Sequence, residues 1–344
     1  MTPTSVSGVP AKLLAVFPFL AVAGAYVVMV WCLHGNGLIE KIHAGCGAPV
    51  EGASFPTRIS YTSISPLDFN LCAIVTFYHG LMNTTYQPLL ILMSTTLAAI
   101  AIIPFAEATR EYHPKRLNIP GTIGMIYQNC SSAVVMPIYW FAFALTGGTT
   151  PRSDRINQGN AEALLFALVV GYAIPTACMV VLEDPVVTAI WQFFPVYMAI
   201  AQWAHSKIRP PSHHTGSGYG TVQAMYLLIY VTSAYLHVAH IWPLFNSPTL
   251  VQKLIMPPTS LLDPSNSISE GVAAFLKWDI VFTAGSTFLI TLWFARSLTG
   301  LAVLILWHVS ATFLVGPAAA IAGVMMWRES TINAQAIVKE EKAR

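Results

Sequence analysis

Apolar residues in this chain run in blocks of about 20, the length a helix needs to cross a hydrocarbon core roughly 30 Å thick. Backbone N–H and C=O groups inside lipid must pair within their own segment, so each such block reads as a helix. Nine stretches qualify: residues 13–33, 67–84, 89–107, 121–146, 161–182, 186–204, 220–243, 271–294 and 299–327. The first is too long for a cleaved signal region and reads as a retained span. Charged residues make up 9% of the 344, against about a quarter in soluble domains. With 17 basic and 15 acidic side chains the chain cannot clothe a soluble surface of that size, and a net charge of +2 offers no basic face for nucleic acid.

The expectation is an all-α, polytopic transmembrane bundle of seven to nine spans, nine by count. It forms one integral-membrane domain over 1–344 that ends in a charged, disordered tail at 328–344. Seven or eight spans result if 67–84 and 89–107 form a re-entrant pair. Across nine spans, the Lys and Arg bias leans toward a cytoplasmic C-terminus. No internal repeat is visible.

The five cysteines show no CxxC or Cys/His zinc spacing, and four of them lie in apolar stretches, so a disulfide framework is not expected. No metal site is expected either. His237 and His240 lie three apart in Tyr-Leu-His-Val-Ala-His, but no matching Glu-x-x-His accompanies them. The chain has no Asp-rich diphosphate motif, no phosphate loop, no Gly-x-Ser-x-Gly elbow and no His-Glu-x-x-His, so chemistry that starts by ionising a diphosphate is disfavoured and no cofactor is expected.

Ionisable groups inside spans are costly and deserve functional attention first. Asp279, in Phe-Leu-Lys-Trp-Asp, lies about two turns inside its span beside Trp278. Burial penalises the anion of a carboxyl, which makes this residue a candidate proton donor. Glu107 ends another span, three residues before Arg110, where an ion pair is the simpler reading. Asp68 opens a helix that also carries Asn70 and His79; a carboxylate there also complements the helix dipole. The polar turn Tyr127-Gln128-Asn129 puts Gln128 forward as a hydrogen-bond partner for a buried acid. Among the abundant aromatics, Tyr139, Trp191 and Trp278 are candidates to face a cation, which a ring face stabilises without attacking it. Gln192 and His240 complete the candidate substrate-binding set.

Several stretches carry a resemblance: Ser-Pro-Leu-Asp-Phe-Asn-Leu-Cys after Gly-Cys-Gly-Ala-Pro, then Phe-Ala-Glu-Ala-Thr-Arg, Ile-Tyr-Gln-Asn before Met-Pro-Ile-Tyr-Trp, Trp-Gln-Phe-Phe-Pro, and Phe-Leu-Lys-Trp-Asp. Over roughly 40–300 the chain resembles a fungal family of membrane-bound terpene cyclases of the ascofuranone and ascochlorin pathway type. The resemblance implies cyclisation without diphosphate loss: a terminal epoxide, or an alkene, of a prenylated or farnesylated precursor is protonated and the cation captured. It carries over Asp68, Glu107 and Asp279 as acidic positions, with Gln128, Trp191 and Gln192 beside the pocket. It further implies secondary-metabolite biosynthesis, an epoxidising monooxygenase upstream, and residence in a lipid bilayer, with the endoplasmic reticulum as the expected membrane. The alternative from another class is a proton-coupled transporter of a small molecule, with Asp68, His79 and Asp279 as a relay.

Overall fold

A computed structural model of the chain describes residues 11–47, 55–110, 119–149 and 155–343. The final Ala-Pro of the Gly-Cys-Gly-Ala-Pro stretch and both ends of the 1–344 domain lie outside the described residues. Among the described residues all regular structure is helical, apart from one isolated bridge between Asn157 and Ser217. Six helices are long and apolar enough to cross a membrane. They are α1 (Leu13–Gly35), α4 (Gln87–Ala108), α7 (Gln158–Leu182), α10 (Tyr219–Asn246), α12 (Ile268–Leu292) and α13 (Leu298–Val315). A seventh span is available if α8 (Pro185–Trp191) and α9 (Phe194–Ile208), bent by 57° at their junction, count as one. The short helices are α2 (Leu38–Cys46), α3 (Ser65–His79), α5 (Pro120–Cys130), α6 (Ser132–Leu145) and α11 (Pro248–Leu254), and α14 (Pro317–Ala343) closes the chain.

The polytopic all-α reading therefore stands with six or seven spans: 67–84 and 121–146 drop out, 186–204 counts only as the bent pair, and 299–327 keeps its span in α13 but ends it early. Residues 67–84 give only the 15-residue α3. The stretch 121–146 breaks at Ser131, whose φ of 71° and ψ of 138° lie outside any helix. The stretch 299–327 breaks at Gly316, at φ +90° and followed by Pro317, where a Cβ would stand 2.8 Å from His237 Nδ1. Only glycine serves there. The expected re-entrant pair is also elsewhere. Gly121 and Gly124 of α5 pack on Pro195 near the start of α9, and Tyr127 on Phe194. After Ser131 the chain turns back, so that Trp140 of α6 reaches Thr287 and Gly148 reaches Arg328. α5 and α6 thus form a helical hairpin with its tip in the middle of the bundle.

Residues 328–344, expected as a disordered tail, are helical through Ala343 as the second half of α14. Their charges find partners: Arg328 and Glu329 meet Glu107 and Arg110, and Glu340 meets Arg155. A charged stretch that pairs against the bundle gains enough to stay folded, which composition alone does not register.

α4 is the most enclosed span, while α1 and α13 leave Phe19, Val22, Leu306 and Val309 on the outside, as a lipid-facing surface requires. Helix ends gather into two faces. One holds the end of α1, the starts of α4 and α12, and the ends of α10 and α13, joined by Asn36–Leu262, Lys41–Asn266 and Trp242–Leu314 contacts. The other holds the end of α4, the starts of α7 and α10, the end of α9 and the last turns of α14, joined by Arg155–Asn333, Gln158–Thr221 and Arg209–Glu162 contacts. On the first face Cys46, ending α2, is disulfide-bonded to Cys72 in α3. The cysteine count led to the opposite expectation, because two isolated cysteines 26 residues apart carry no spacing signal.

Candidate active site around Asp279

The hairpin tip and α12 meet at Asp279. Ser131 Oγ and the Ala133 N–H donate to Asp279 Oδ1 at 2.5 and 2.7 Å, and Ser132 Oγ donates to Oδ2 at 2.9 Å. Ser132 Oγ in turn accepts from Thr283 Oγ1, one turn further along α12, at 2.8 Å. The arrangement follows from the chain break. A helix that starts in mid-bundle exposes N–H groups with no internal partner, and its dipole favours negative charge at that end. Ser131 caps α6 with its own side chain, and Asp279 supplies the remaining acceptor. A serine held at positive φ is costly, and such residues gather where a site over-determines the backbone. α1 presses on the same turn: a Cβ on Gly24 would stand 2.7 Å from the Ala133 carbonyl oxygen.

Asp279 is 8% exposed, and what little it shows faces a cavity of about 240 Å³. Polar groups gather at the deep end: Tyr127, Gln128, Asn129, Ser131, Ser132 and Thr283. Apart from His43 and Thr96 the remaining wall is apolar and aromatic, with Met29 and Leu33 from α1, Ile39 and Ile42 from α2, Phe77 and Tyr78 from α3, Leu97 and Ile100 from α4, and Phe275 from α12. Phe77 and Phe275 meet edge to face at 4.9 Å, and Tyr78 meets Trp191 in the same way at 4.9 Å. Such a lining suits a long apolar molecule that carries one polar group to the bottom.

The expected residues separate into three groups. Asp279 and Gln128 line the cavity. Gln128 is not the partner of the acid; the donors are the serines three and four positions on. Gln128 instead accepts from the Tyr78 hydroxyl at 3.5 Å and donates to Gln192 Oε1 at 3.4 Å. Gln192 and Trp191 stand directly behind that wall, Gln192 donating to the Thr188 carbonyl and Trp191 Nε1 to Thr176 Oγ1. They support the lining without entering it.

Glu107, Asp68, Tyr139, Trp278 and His240 lie elsewhere, so the expected carboxylates do not share one cavity. Glu107 is fully enclosed between guanidinium groups: Arg328 reaches Oε1 at 2.5 Å and Oε2 at 3.0 Å, and Arg110 Nε reaches Oε1 at 3.0 Å. Glu329 pairs with Arg110 to complete a buried network of four charges. Asp68 is held by the loop before α3, accepting from the Thr62 N–H and hydroxyl. Tyr139 stacks among Trp140 and Phe143, and Trp278 donates to the Pro258 carbonyl. His240 ends the regular part of α10, and His237 binds the Phe313 carbonyl at 3.1 Å. Among the described residues no group of three or more His, Cys, Asp or Glu side chains is placed to hold a metal ion.

Tyr78, Ser131, Ser132, Thr283, Phe77 and Phe275 are among the cavity residues that sequence reasoning missed. The polar run Tyr-Gln-Asn-Cys-Ser-Ser in the middle of an apolar stretch was the available signal for the break.

A family profile described as CtvD domain matches residues 11–333. The chain is 24% identical over 275 residues to the FAD-dependent monooxygenase verC1 of Penicillium polonicum, covering 73% of this chain and 34% of that protein. It is 24% identical over 188 residues to the terpene cyclase ctvD of Aspergillus terreus, covering 50% and 51%. It is 23% identical over 290 residues to the terpene cyclase ascI of Acremonium egyptiacum, covering 76% and 75%. The chain thus spans about a third and about half of the length of the first two relatives. No solved structure matches it.

Proposed function

We propose that the chain, which belongs to the CtvD domain family, is a membrane terpene cyclase that opens a terminal epoxide of a prenylated or farnesylated precursor with a proton from Asp279. The observation that carries this reading is one buried carboxyl, held by neutral donors and facing an apolar, aromatic-walled cavity. Two relatives named terpene cyclases support it.

Oδ1 already takes two hydrogen bonds and Oδ2 only one, so Oδ2 is the oxygen with room for the transferable proton. As the epoxide C–O bond breaks, that proton passes to the epoxide oxygen, which becomes a hydroxyl. General acid assistance of this kind contributes about 10²–10⁴-fold. The Phe77, Tyr78, Tyr127 and Phe275 rings stabilise the cation, which an alkene or an oxygen nucleophile of the same molecule captures. The proton released at termination returns to the Asp279 carboxylate, so the reaction is a net isomerisation and needs no outside reductant or oxidant. Oxygen insertion must come earlier, from an epoxidising monooxygenase that acts upstream. The endoplasmic reticulum remains the expected membrane.

Washed membranes from a host that expresses only this chain test the reading. An epoxyfarnesyl phenol is expected to be cyclised and its unepoxidised parent left unchanged. Turnover of both moves initiation to the alkene, and turnover of neither overturns the cyclase reading.

A further inference from the structure

The two faces of the bundle differ in charge and in redox chemistry, and both differences point the same way. The face opposite the disulfide gathers Arg155, Lys207, Arg209, Arg296, Lys339 and Lys342, beyond the Arg110 and Arg328 of the buried network. The disulfide face holds Lys41, Arg58, Lys253 and Lys277. Basic residues beside spans are retained on the cytoplasmic side. Independently, a disulfide persists in an oxidising compartment and is kept reduced in the cytosol. The nine-span reading hid the charge bias: taking 67–84 and 121–146 as crossings put Arg110 on the opposite side from Arg155 and Arg209, and taking 299–327 as one crossing put Lys339 and Lys342 there as well.

The cavity is oriented along the same axis. Asp279 and the hairpin tip close its inner end at mid-depth, and α2 and α3, tied together by Cys46–Cys72, form its outer end. The exposed lining residues His43, on α2, and Asn129, at the hairpin tip, mark a slit from mid-depth to the disulfide face.

We infer that the Asp279 cavity is served from the non-cytoplasmic half of the membrane, through a mouth framed by the disulfide-tied helices α2 and α3, with the start of α1 and the end of α14 on the cytoplasmic side. An apolar substrate dissolved in the bilayer reaches the acid from the oxidising-side leaflet. The inference concerns sidedness and does not rest on the cyclase reading.

Thiol labelling in sealed, cytoplasmic-side-out microsomes tests it, with a membrane-impermeant maleimide as probe and Cys130→Ser/Cys178→Ser as the background. Ser212→Cys, on the basic face, is expected to label in intact vesicles. Thr249→Cys, on the disulfide face, and His43→Cys, at the mouth, are expected to label only after permeabilisation. Labelling of Thr249→Cys in intact vesicles with Ser212→Cys protected reverses the orientation. Failure of His43→Cys to label even in permeabilised vesicles removes the mouth. Cys46 and Cys72 are expected to resist alkylation until a reductant is added; free alkylation of both before reduction removes the redox leg of the argument and overturns the inference.

Discussion

Two of the buried carboxylates in this bundle, Asp279 at 8% and Glu107 at 2% exposure, are held in opposite ways. Glu107 sits between two guanidinium groups, with Arg328 bound to both of its oxygens and Glu329 balancing Arg110. Its charge is matched and its lone pairs are occupied by partners that cannot give up a proton. Asp279 has no cation bonded to it: its partners are two hydroxyls and a backbone N–H at a helix start, and it borders empty space. One arrangement bolts α4 to α14; the other leaves a carboxyl beside a cavity, bonded only to neutral donors, where we propose that it acts as the acid. Burial alone does not distinguish an acid from a clamp, and the partners do.

The largest expected effect breaks the comparison on the Asp279 side. Asp279→Asn keeps the shape and a hydrogen-bonding group but removes the acidic proton, so turnover should fall by about 10²–10⁴-fold in a protein that melts normally. Product at the parental rate from a well-folded Asp279→Asn protein would hand the role to another residue. Next comes Glu107→Gln, which leaves Arg110 and Arg328 short of a counter-charge; breaking a buried pair costs about 3–5 kcal/mol. The expected readout is a steep loss of folded protein in detergent, partly restored when Arg328→Met is added, since the two effects share one contact. A stable Glu107→Gln protein that has lost only turnover would make Glu107 the acid.

That pair also shows what was legible beforehand. Asp279 stood out because a lone carboxylate far inside an apolar run has few innocent explanations, and Glu107 because Arg110 follows three residues later. The rest of each environment comes from residues remote in the chain. Arg328 is 221 positions from Glu107, in a stretch whose composition reads as a tail, and Ser131 is 148 positions from Asp279. The helical class and the long spans were readable because hydropathy is local. The hairpin was not, since 121–146 is apolar enough overall to pass as one crossing and its break rests on the conformation of one serine. The Cys46–Cys72 bond was invisible for the same reason: pairing is a property of the fold.

A smaller effect sharpens the Asp279 side. Ser132→Ala removes the donor to Oδ2 and leaves the Thr283 hydroxyl without its acceptor. One hydrogen bond of this kind is worth about 0.5–1.5 kcal/mol net, so turnover should drop up to about tenfold while kcat, rather than KM, carries the loss. A loss carried by a raised KM with kcat unchanged would mean that the serine shapes the cavity instead of holding the acid.

The smallest effect is expected at Asp68, the third carboxylate singled out by the sequence. Its Oδ1 accepts from the Thr62 hydroxyl and N–H, each at 2.7 Å, and its Oδ2 from the Ser60 hydroxyl at 3.2 Å. These bonds, with the Thr62 hydroxyl foremost, hold the carboxyl below its usual range, against a weaker opposing effect of desolvation. A group whose folded-state value is depressed adds stability above its unfolded value, near 3.9, and that contribution fades as pH falls through the folded value. Asp68→Asn should therefore lower Tm slightly at neutral pH, with the gap to the parent closing in acid as the parental carboxyl is itself protonated. Because Asp68 caps the loop before α3 and lies outside the cavity lining, turnover should be unchanged at every pH where both proteins are folded. An Asp68→Asn protein with the parental Tm and no turnover would place this residue in the chemistry, and the contrast between Asp279 and Glu107 would then need a third member that acts from the surface.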